Sequence, residues 1–418
     1  MNIIIHHYSS ILFRMEYLDS SKTIIFLPME KKNMFDEKIS QGSVFPRLEY
    51  FEDFSLKEFV KKIDYLINVE KITIDSISTQ CEESIIDVGF LNDYYTKKNS
   101  EYLINTCFRD KYIMRCLLQN IVKQPDFYLI NSEDDIKKFM DKYPGNNFII
   151  KHRFGCGSRS IKKVSEGSKV DFSDFKDNLF SGNYIIENYV TDSIMVSNDG
   201  YAINSKIKRF FVHDYDKPVF DALSDKSNHI VKTSSFYENN RKLIEIMKIR
   251  CQSIFDRFEF IENISPFHIE WFVNLETNEV TLCEVARRYG GAGIPALIRQ
   301  AFDVDILKEY WNIINFGTDN STKNNIMLPT RIAASFQANA EEGILVAKPE
   351  PEDFNWAHMY YSFFELNTEI NIIPEETKPI SFYVDFSCNS IDDFREKIKL
   401  LNNLARQYVY DHSKSEKF

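Results

Sequence analysis

Two apolar segments that set a pair of glutamates opposite each other constrain the fold more than any other feature. The segments PFHIEWFV (266–273) and VTLCEVA (280–286) flank the polar turn NLETNE. This pattern predicts a β-hairpin, and a turn centred near Thr277 brings Glu270 directly across from Glu284. Opposed Cβ atoms in an antiparallel pair lie about 4.5–5.5 Å apart, so like charges there destabilise the hairpin unless something neutralises them.

Three interpretations of the paired glutamates follow from the residues alone. A hard cation such as Mg²⁺ takes carboxylate oxygens together with substrate phosphates. Alternatively, one carboxylate has a raised pKa and the two share a proton. A different register would instead make both part of a solvent-facing polar stripe. The period of two also puts His268 on the face of Glu270, opposite Ala286.

The segment after Glu284, RRYGGAGIP (287–295), adds cations and glycines to the same strand end. Arg287 and Arg288 point to opposite faces of a continuing strand, so one of them is expected to enter the site. Pro295 is a good first residue of a helix, and free N–H groups at that helix start would favour an anion. Two carboxylates, an arginine and such a loop suit phosphoryl chemistry.

A second glycine loop lies in FIIKHRFGCGSRSIKKV (148–164). Residues 148–151 are predicted to form a strand, Gly155 and Gly157 a turn, and Ile161–Val164 the return strand. Glycines allow backbone N–H groups to approach phosphate oxygens, and Lys151 adds positive charge beside them. A Walker A loop is excluded because its lysine follows the glycines. An ordinary hairpin turn remains the alternative.

Length and composition limit the classes of protein to which the chain can belong. A chain of 418 residues is expected to hold two or three domains. The net charge of −11 argues against general nucleic-acid binding. The seven cysteines are scattered without a CxxC pair, which favours reduced thiols in a cytoplasmic protein over a disulfide framework or zinc site. We find no apolar stretch of about 18 or more residues and therefore expect no membrane span.

Taken in order along the chain, these segments resemble the motifs of the ATP-grasp superfamily, most closely its carboxylate–amine ligases in the L-amino-acid ligase and biotin-carboxylase-like branch. The similar segments are RDKYIMRCLL, FIIKHRFGCGS, YIIENYV, FHIEWF and CEVARRYGGAGIPALI, and they cover roughly residues 107–320. The resemblance implies an α/β (α+β) protein with an ATP-grasp fold. Its expected parts are an N-terminal α/β domain (1–106), a linking helix and lid subdomain (107–188), a catalytic subdomain (189–320) and a C-terminal α+β unit (321–418).

The resemblance also assigns roles to residues of this chain. Glu270 and Glu284 would bind Mg²⁺, for which Mn²⁺ could substitute, and Arg288 would be the catalytic arginine. The residues implied to hold ATP are Lys111, Lys151, Gly155, Gly157, Ser158, Glu187, Asn188, Tyr189, Val190 and His268. Apart from holding nucleotide, His268 could act as a base, could orient Glu270, or could be a structural neighbour of the site.

The implied reaction converts a substrate carboxylate, that of an amino acid, into an acyl phosphate. An amine then attacks it to form an amide, with release of ADP and phosphate. The partners would be small molecules, with neither nucleic acid nor membrane, and the protein could form a homodimer. Ala286 departs from the family pattern where an Asn helps to hold a second metal ion, and Ile194 departs where many members have a ribose-binding Glu.

Two other functions are compatible with the same residues. A degenerate ATP-grasp module would bind nucleotide without turnover, and an acyl-phosphate ligase could act on a peptide or carrier protein. Arg209, in the segment KIKRFFVHD, could face the nucleotide or substrate, or could be a surface charge.

Overall fold

The computed structural model describes residues 1–8, 13–40, 45–97, 100–157, 161–165, 170, 175, 179–218, 220, 227–258, 264–317, 326–372 and 379–413. The described strands are β1 (Asn2–Ile5), β2 (Thr23–Pro28), β3 (Arg47–Phe51), β4 (Ser76–Ser78), β5 (Phe127–Ile130), β6 (Phe148–His152), β7 (Ile161–Val164), β8 (Tyr184–Asn188), β9 (Ile194–Ile203), β10 (Lys206–Tyr215), β11 (His229–Thr233), β12 (Ile264–Asn274), β13 (Glu279–Ala286), β14 (Ile332–Asn339), β15 (Gly343–Ala347), β16 (Met359–Ser362), β17 (Glu369–Ile370), β18 (Ile380–Cys388) and β19 (Val409–Asp411). The described α-helices are α1 (Lys32–Ser40), α2 (Leu56–Asn68), α3 (Ile85–Leu91), α4 (Glu101–Cys107), α5 (Lys111–Leu118), α6 (Glu133–Lys142), α7 (Phe236–Asn239), α8 (Arg241–Arg257), α9 (Ile294–Phe302), α10 (Ile306–Phe316) and α11 (Ile391–Ala405).

The N-terminal region forms a parallel sheet in the order β3-β2-β1-β4. Its inner strands are fully buried and, apart from Asn2 and Thr23 at their first positions, apolar, as parallel strands covered on both faces should be. Helix α2 packs on it through Phe59, Ile63 and Leu66, which recur on one face of the helix. The turn Glu82–Ser84 follows β4, so its acidic residues lie at the carboxyl edge of this sheet.

A second, antiparallel sheet has the order β5-β8-β6-β7. The predicted strands around the first glycine loop are confirmed as β6 and β7. Helix α6 packs beside β5, and its N-cap Ser132 accepts a hydrogen bond from the amide of Asp135. Helix α5 connects this sheet to the preceding region, and Asp110 caps its start by accepting bonds from the amides of Tyr112 and Ile113.

The largest sheet is antiparallel, with the order β13-β12-β9-β10-β11-β14-β18-β16. Its strands β14, β16 and β18 come from residues 332–388, so one sheet continues across residue 320. Helices α8, α9 and α10 contribute to the main hydrophobic core with β9, β10 and β12. A small sheet, β17-β15-β19, and helix α11 contribute to a separate C-terminal core.

The expected mixed α/β class is confirmed by this arrangement of sheets and helices. The division into four domains given above remains a prediction. None of the helices in the described part of the chain has both the length and the apolar character that a membrane span requires.

Candidate active site

The predicted hairpin and its register are confirmed. Strands β12 and β13 pair so that Glu270 lies opposite Glu284 and His268 opposite Ala286. The register shifts after Glu270, where Trp271 pairs with Leu282 and Cys283 has no opposite residue. Alternation along β12 puts the buried Trp271 in the core and Glu270 at the cavity, and next to the irregularity both Cys283 and Glu284 border that cavity.

Lys111 neutralises Glu284 in this structure. Its ammonium lies 2.6 Å from Glu284 Oε1 and donates to the carbonyl of Gly155 at 2.6 Å. The side chain is buried and comes from the first residue of α5, so one cation joins that helix, the first glycine loop and the hairpin. Arg109 binds the same loop by donating to the carbonyls of Phe154 and Gly155.

Glu270 has a different partner. His268 Nε2 lies 3.3 Å from Glu270 Oε1, and His268 Nδ1 lies 2.8 Å from the fully buried Asp199. Burial alone would lower the pKa of His268, but the Asp199 and Glu270 carboxylates outweigh it and raise this pKa to about 10. Burial would raise the pKa of Glu270, yet the hydrogen bond from His268 keeps it below its ordinary value. The imidazolium therefore holds Glu270 ionised and in position.

Lys151 lies in a buried ion triad with Glu187 and Arg115. Its ammonium is 2.8 Å from Glu187 Oε2, and Arg115 Nε is 2.7 Å from Glu187 Oε1. Burial would raise the pKa of Glu187, but the two cations lower it to about 2. Arg115 also donates to the carbonyls of Leu282 and Cys283, which ties the triad to β13.

The two arginines after Glu284 diverge as predicted. Arg287 is held by Glu101 and Asn105 of α4, away from the hairpin glutamates. Arg288 borders the cavity and donates from Nε to Glu82 Oε2 at 2.7 Å. Glu82 was not among the site residues that the sequence predicted. Its position in the turn that follows β4, at the carboxyl edge of a parallel sheet, is the signal that could have found it.

The expectation of free N–H groups at the start of α9 is wrong for the helix itself. The amide of Ile294 donates to Gly291, that of Ala296 donates to Gly293, and Pro295 has none. The unoccupied donors precede the helix, because the amides of residues 291–293 donate to no acceptor among the described residues. Gly293, with φ of 73°, lies so close to Tyr383 that a Cβ atom would be 1.7 Å from its hydroxyl.

Most of the predicted site residues come together around one cavity of about 630 Å³. The predicted residues that line it are Lys111, Lys151, Gly155, Gly157, Glu187, Asn188, Tyr189, Val190, His268, Glu270, Glu284 and Arg288. Ser158 lies outside the described residues. Arg209 is neither a ligand-facing nor a surface group, since its buried guanidinium pairs with Glu309 of α10.

A second cavity of about 530 Å³ lies beside the first, between the N-terminal sheet and helices α9 and α10. It is lined by aromatic groups such as Phe13, Tyr289 and Trp311, together with charged side chains. Glu82 and Arg288 line both cavities, so their ion pair lies where the two meet.

The residues present fit a hard divalent cation between Glu270 and Glu284. Two opposed carboxylates supply oxygen ligands, and Mg²⁺ in nucleotide sites commonly has one or two carboxylates with phosphates and water completing its shell. No group of three or more His, Cys, Asp or Glu side chains suited to a metal occurs among the described residues. With two protein carboxylates, phosphate and water would have to complete the shell of such a cation.

Comparison with solved structures of the same architecture identifies the fold of this chain. The chain is similar over 96% of its length to L-amino acid ligase from Bacillus licheniformis, with a TM-score of 0.68, 12% identity and 97% of that chain covered. It is similar over 95% of its length to N5-carboxyaminoimidazole synthetase from Staphylococcus aureus complexed with ADP, with a TM-score of 0.66, 16% identity and 96% of that chain covered. The chain has the ATP-grasp fold.

The expected resemblance to the ATP-grasp superfamily is thus confirmed at the level of the fold. In sequence, the chain is 20% identical over 263 residues to the L-arginine-specific L-amino acid ligase of Bacillus subtilis. That match spans 60% of this chain and 60% of the curated relative. No family model matches the chain. The roles of individual residues within the ATP-grasp fold remain predictions.

Proposed function

We propose that this protein is an ATP-dependent ligase that activates the carboxylate of an amino acid as an acyl phosphate and joins it to an amine, releasing ADP and phosphate. One observation carries the proposal. A cavity lined by two lysines and a pair of opposed glutamates meets a second cavity at Arg288. Phosphoryl transfer needs cations around the phosphates, and ligation needs room for a second substrate beside the activated one.

ATP is proposed to occupy the first cavity. Its volume of about 630 Å³ lies within the range of small-molecule sites. Lys111 and Lys151 would neutralise phosphate oxygens, and residues 188–190, which follow the buried Glu187, would contact the base. Both lysines now pair with carboxylates, so binding of ATP would exchange an internal counter-ion for a phosphate. The loop carrying Gly155 and Gly157 would cover the phosphates.

Glu270 and Glu284 would hold Mg²⁺, with Mn²⁺ as a substitute, and the ion would supply charge neutralisation at the phosphates. His268 would keep Glu270 in place through their 3.3 Å contact. Ala286 lacks the side-chain oxygen that would help to hold a second ion. The proposal therefore needs one ion bound through two carboxylates.

Arg288 and the amides of residues 291–293 would bind the substrate carboxylate at the junction of the cavities. A carboxylate oxygen attacks the γ-phosphorus, the new O–P bond forms as the bond to the β-phosphate oxygen breaks, and ADP leaves with that electron pair. Arg288 would offset the charge that develops during the transfer. Covering the site would keep water from hydrolysing the acyl phosphate.

We also propose the domain division at residues 106, 188 and 320, a cytoplasmic location and small-molecule substrates. The relatives support amino acids in particular, because two of them are named as L-amino acid ligases.

The proposal is tested by measuring release of ADP and phosphate with Mg²⁺ in a screen of the twenty amino acids taken in pairs. We expect turnover that depends on the amino acids and a product with a new amide bond. Glu279→Gln, on the same strand but exposed, is the matched control for variants of Glu284. Binding of ATP without turnover in any pair would instead support the degenerate module, the alternative that Ala286 favours.

A further inference from the structure

We propose that the second cavity binds the amine substrate and that Glu82 contacts its nitrogen. This assignment rests on the proposed ligase function and adds a residue from the N-terminal sheet to the reaction. The substrate class is a primary amine on a molecule the size of an amino acid, since the cavity of about 530 Å³ has aromatic walls that include Phe13 and Trp311.

The position of Glu82 is the first argument. Five described residues line both cavities, namely Glu82, Cys156, Gly157, Arg288 and Gly291. These residues lie where the two cavities meet, at the proposed passage between them. An acyl phosphate formed at Arg288 presents its carbonyl carbon in this passage, so an amine arriving from the second cavity must reach it there. Glu82 is the one carboxylate among the five.

The hydrogen bonding of Glu82 is the second argument. Oε2 accepts from Arg288, whereas Oε1 accepts no hydrogen bond among the described residues. The cation facing Oε1, Arg109 Nη1, is 3.7 Å away, which exceeds hydrogen-bonding distance. A carboxylate offers about four acceptor positions, so a buried side chain with one unused oxygen can bind another donor.

The ionisation state of Glu82 is consistent with a contact to the substrate amine. Burial would raise its pKa, but Arg288, Arg109 and Lys111 together keep this pKa below its ordinary value. The carboxylate is therefore ionised and suited to an ammonium group.

Amide formation from the acyl phosphate removes two protons from the ammonium group of the substrate. The substrate nitrogen enters as an ammonium group oriented by Glu82 and loses one proton to solvent. Its lone pair then attacks the acyl carbon, the C–N bond forms, and the C–O bond to phosphate breaks with its electron pair on the phosphate oxygen. The second proton from nitrogen goes to the departing phosphate. Glu82 orients the nitrogen and keeps no proton at the end.

The experiment compares two nucleophiles in the Glu82→Gln variant. Hydroxylamine traps the acyl phosphate as a hydroxamate and needs no amine-binding residue, whereas amide formation with the amino-acid pair found in the screen does. We expect hydroxamate formation to be retained, while the KM for the amine rises by about 10- to 100-fold, the loss expected for a hydrogen bond to a charged group. Glu49→Gln, which breaks the ion pairs of Glu49 with Arg47 and Lys62 elsewhere on the N-terminal sheet, should change neither reaction.

Each other outcome decides against the assignment. Equal loss of both reactions in a variant that still binds ATP would show that Glu82 only holds Arg288, and an unchanged KM for the amine would show that it has no contact with the nitrogen. If Glu82→Gln does not fold, Glu82→Asp carries the same comparison, because it keeps the charge and withdraws the carboxylate. No hydroxamate from the unaltered protein with any of the twenty amino acids would reject the ligase function itself and this assignment with it.

Discussion

Replacing Glu187 by glutamine removes the shared counter-ion of two buried cations. Lys151 and Arg115 both contact this carboxylate, at 2.8 and 2.7 Å, and all three side chains are almost inaccessible to solvent. Glutamine has nearly the same shape and can still accept a hydrogen bond. The change therefore isolates the loss of one negative charge between two positive ones.

The size of the effect follows from the pKa of Glu187. Its fall from 4.5 to about 2 corresponds to about 3 kcal/mol of stability at neutral pH. Breaking a buried ion pair by removing one partner costs about 3–5 kcal/mol, which agrees. Because the pKa is lowered in the folded state, this stability is present above pH 4.5 and is lost as the pH falls from 4.5 towards 2.

Native-state hydrogen exchange at pH 7 tests the prediction, since it gives the free energy of opening for the amides of β8 and of the strands beside it. We expect these amides to lose about 3 kcal/mol of protection in Glu187→Gln. In Glu279→Gln, which breaks an exposed pair with Lys123, the loss should stay below about 1 kcal/mol. Equal losses in the two variants would refute the argument that the buried triad holds this sheet together.

Three further predictions address the hairpin and the segment after it. Glu284→Gln should lower phosphate release by about 100-fold or more while far-UV circular dichroism is unchanged, and retained turnover would contradict its role at the phosphates. Gly290→Ala should lower the free energy of unfolding by about 1–3 kcal/mol in urea denaturation, because a Cβ atom there would lie 2.7 Å from Asp199 Oδ1. Gly291→Ala is its control, since nothing lies within 4 Å of that position. Arg287→Met should destabilise the protein by about 3 kcal/mol in the same assay yet leave the KM for ATP unchanged, and a raised KM would contradict its structural role.

The period of the apolar residues and the residues of the turns were sufficient to predict local structure, namely the strands and hairpins around the site. The alternation in β12 and β13 was sufficient to pair Glu270 with Glu284, because one face of the hairpin must be buried and this fixes the register. The order of the motifs then indicated the fold. Contacts between distant segments could not be derived this way.

The partners of the predicted residues show why contacts between distant segments could not be predicted from the sequence. Lys111 meets Glu284 across 173 positions, and Arg288 meets Glu82 across 206. Such pairs depend on how separate sheets pack together, which periodicity does not encode. Arg209 was misjudged for the same reason, since its partner Glu309 lies 100 positions away on a helix.

The position of Lys111 has a consequence for how the binding of the nucleotide and the binding of the cation affect each other. Its ammonium can form a close ion pair either with Glu284 or with a phosphate oxygen, and in this structure it pairs with Glu284. Once a cation neutralises Glu284, Lys111 becomes available to the nucleotide, and a nucleotide that draws Lys111 away leaves Glu284 free for a cation. We therefore expect each ligand to increase the affinity for the other by the same factor, with one lysine acting as the switch between them.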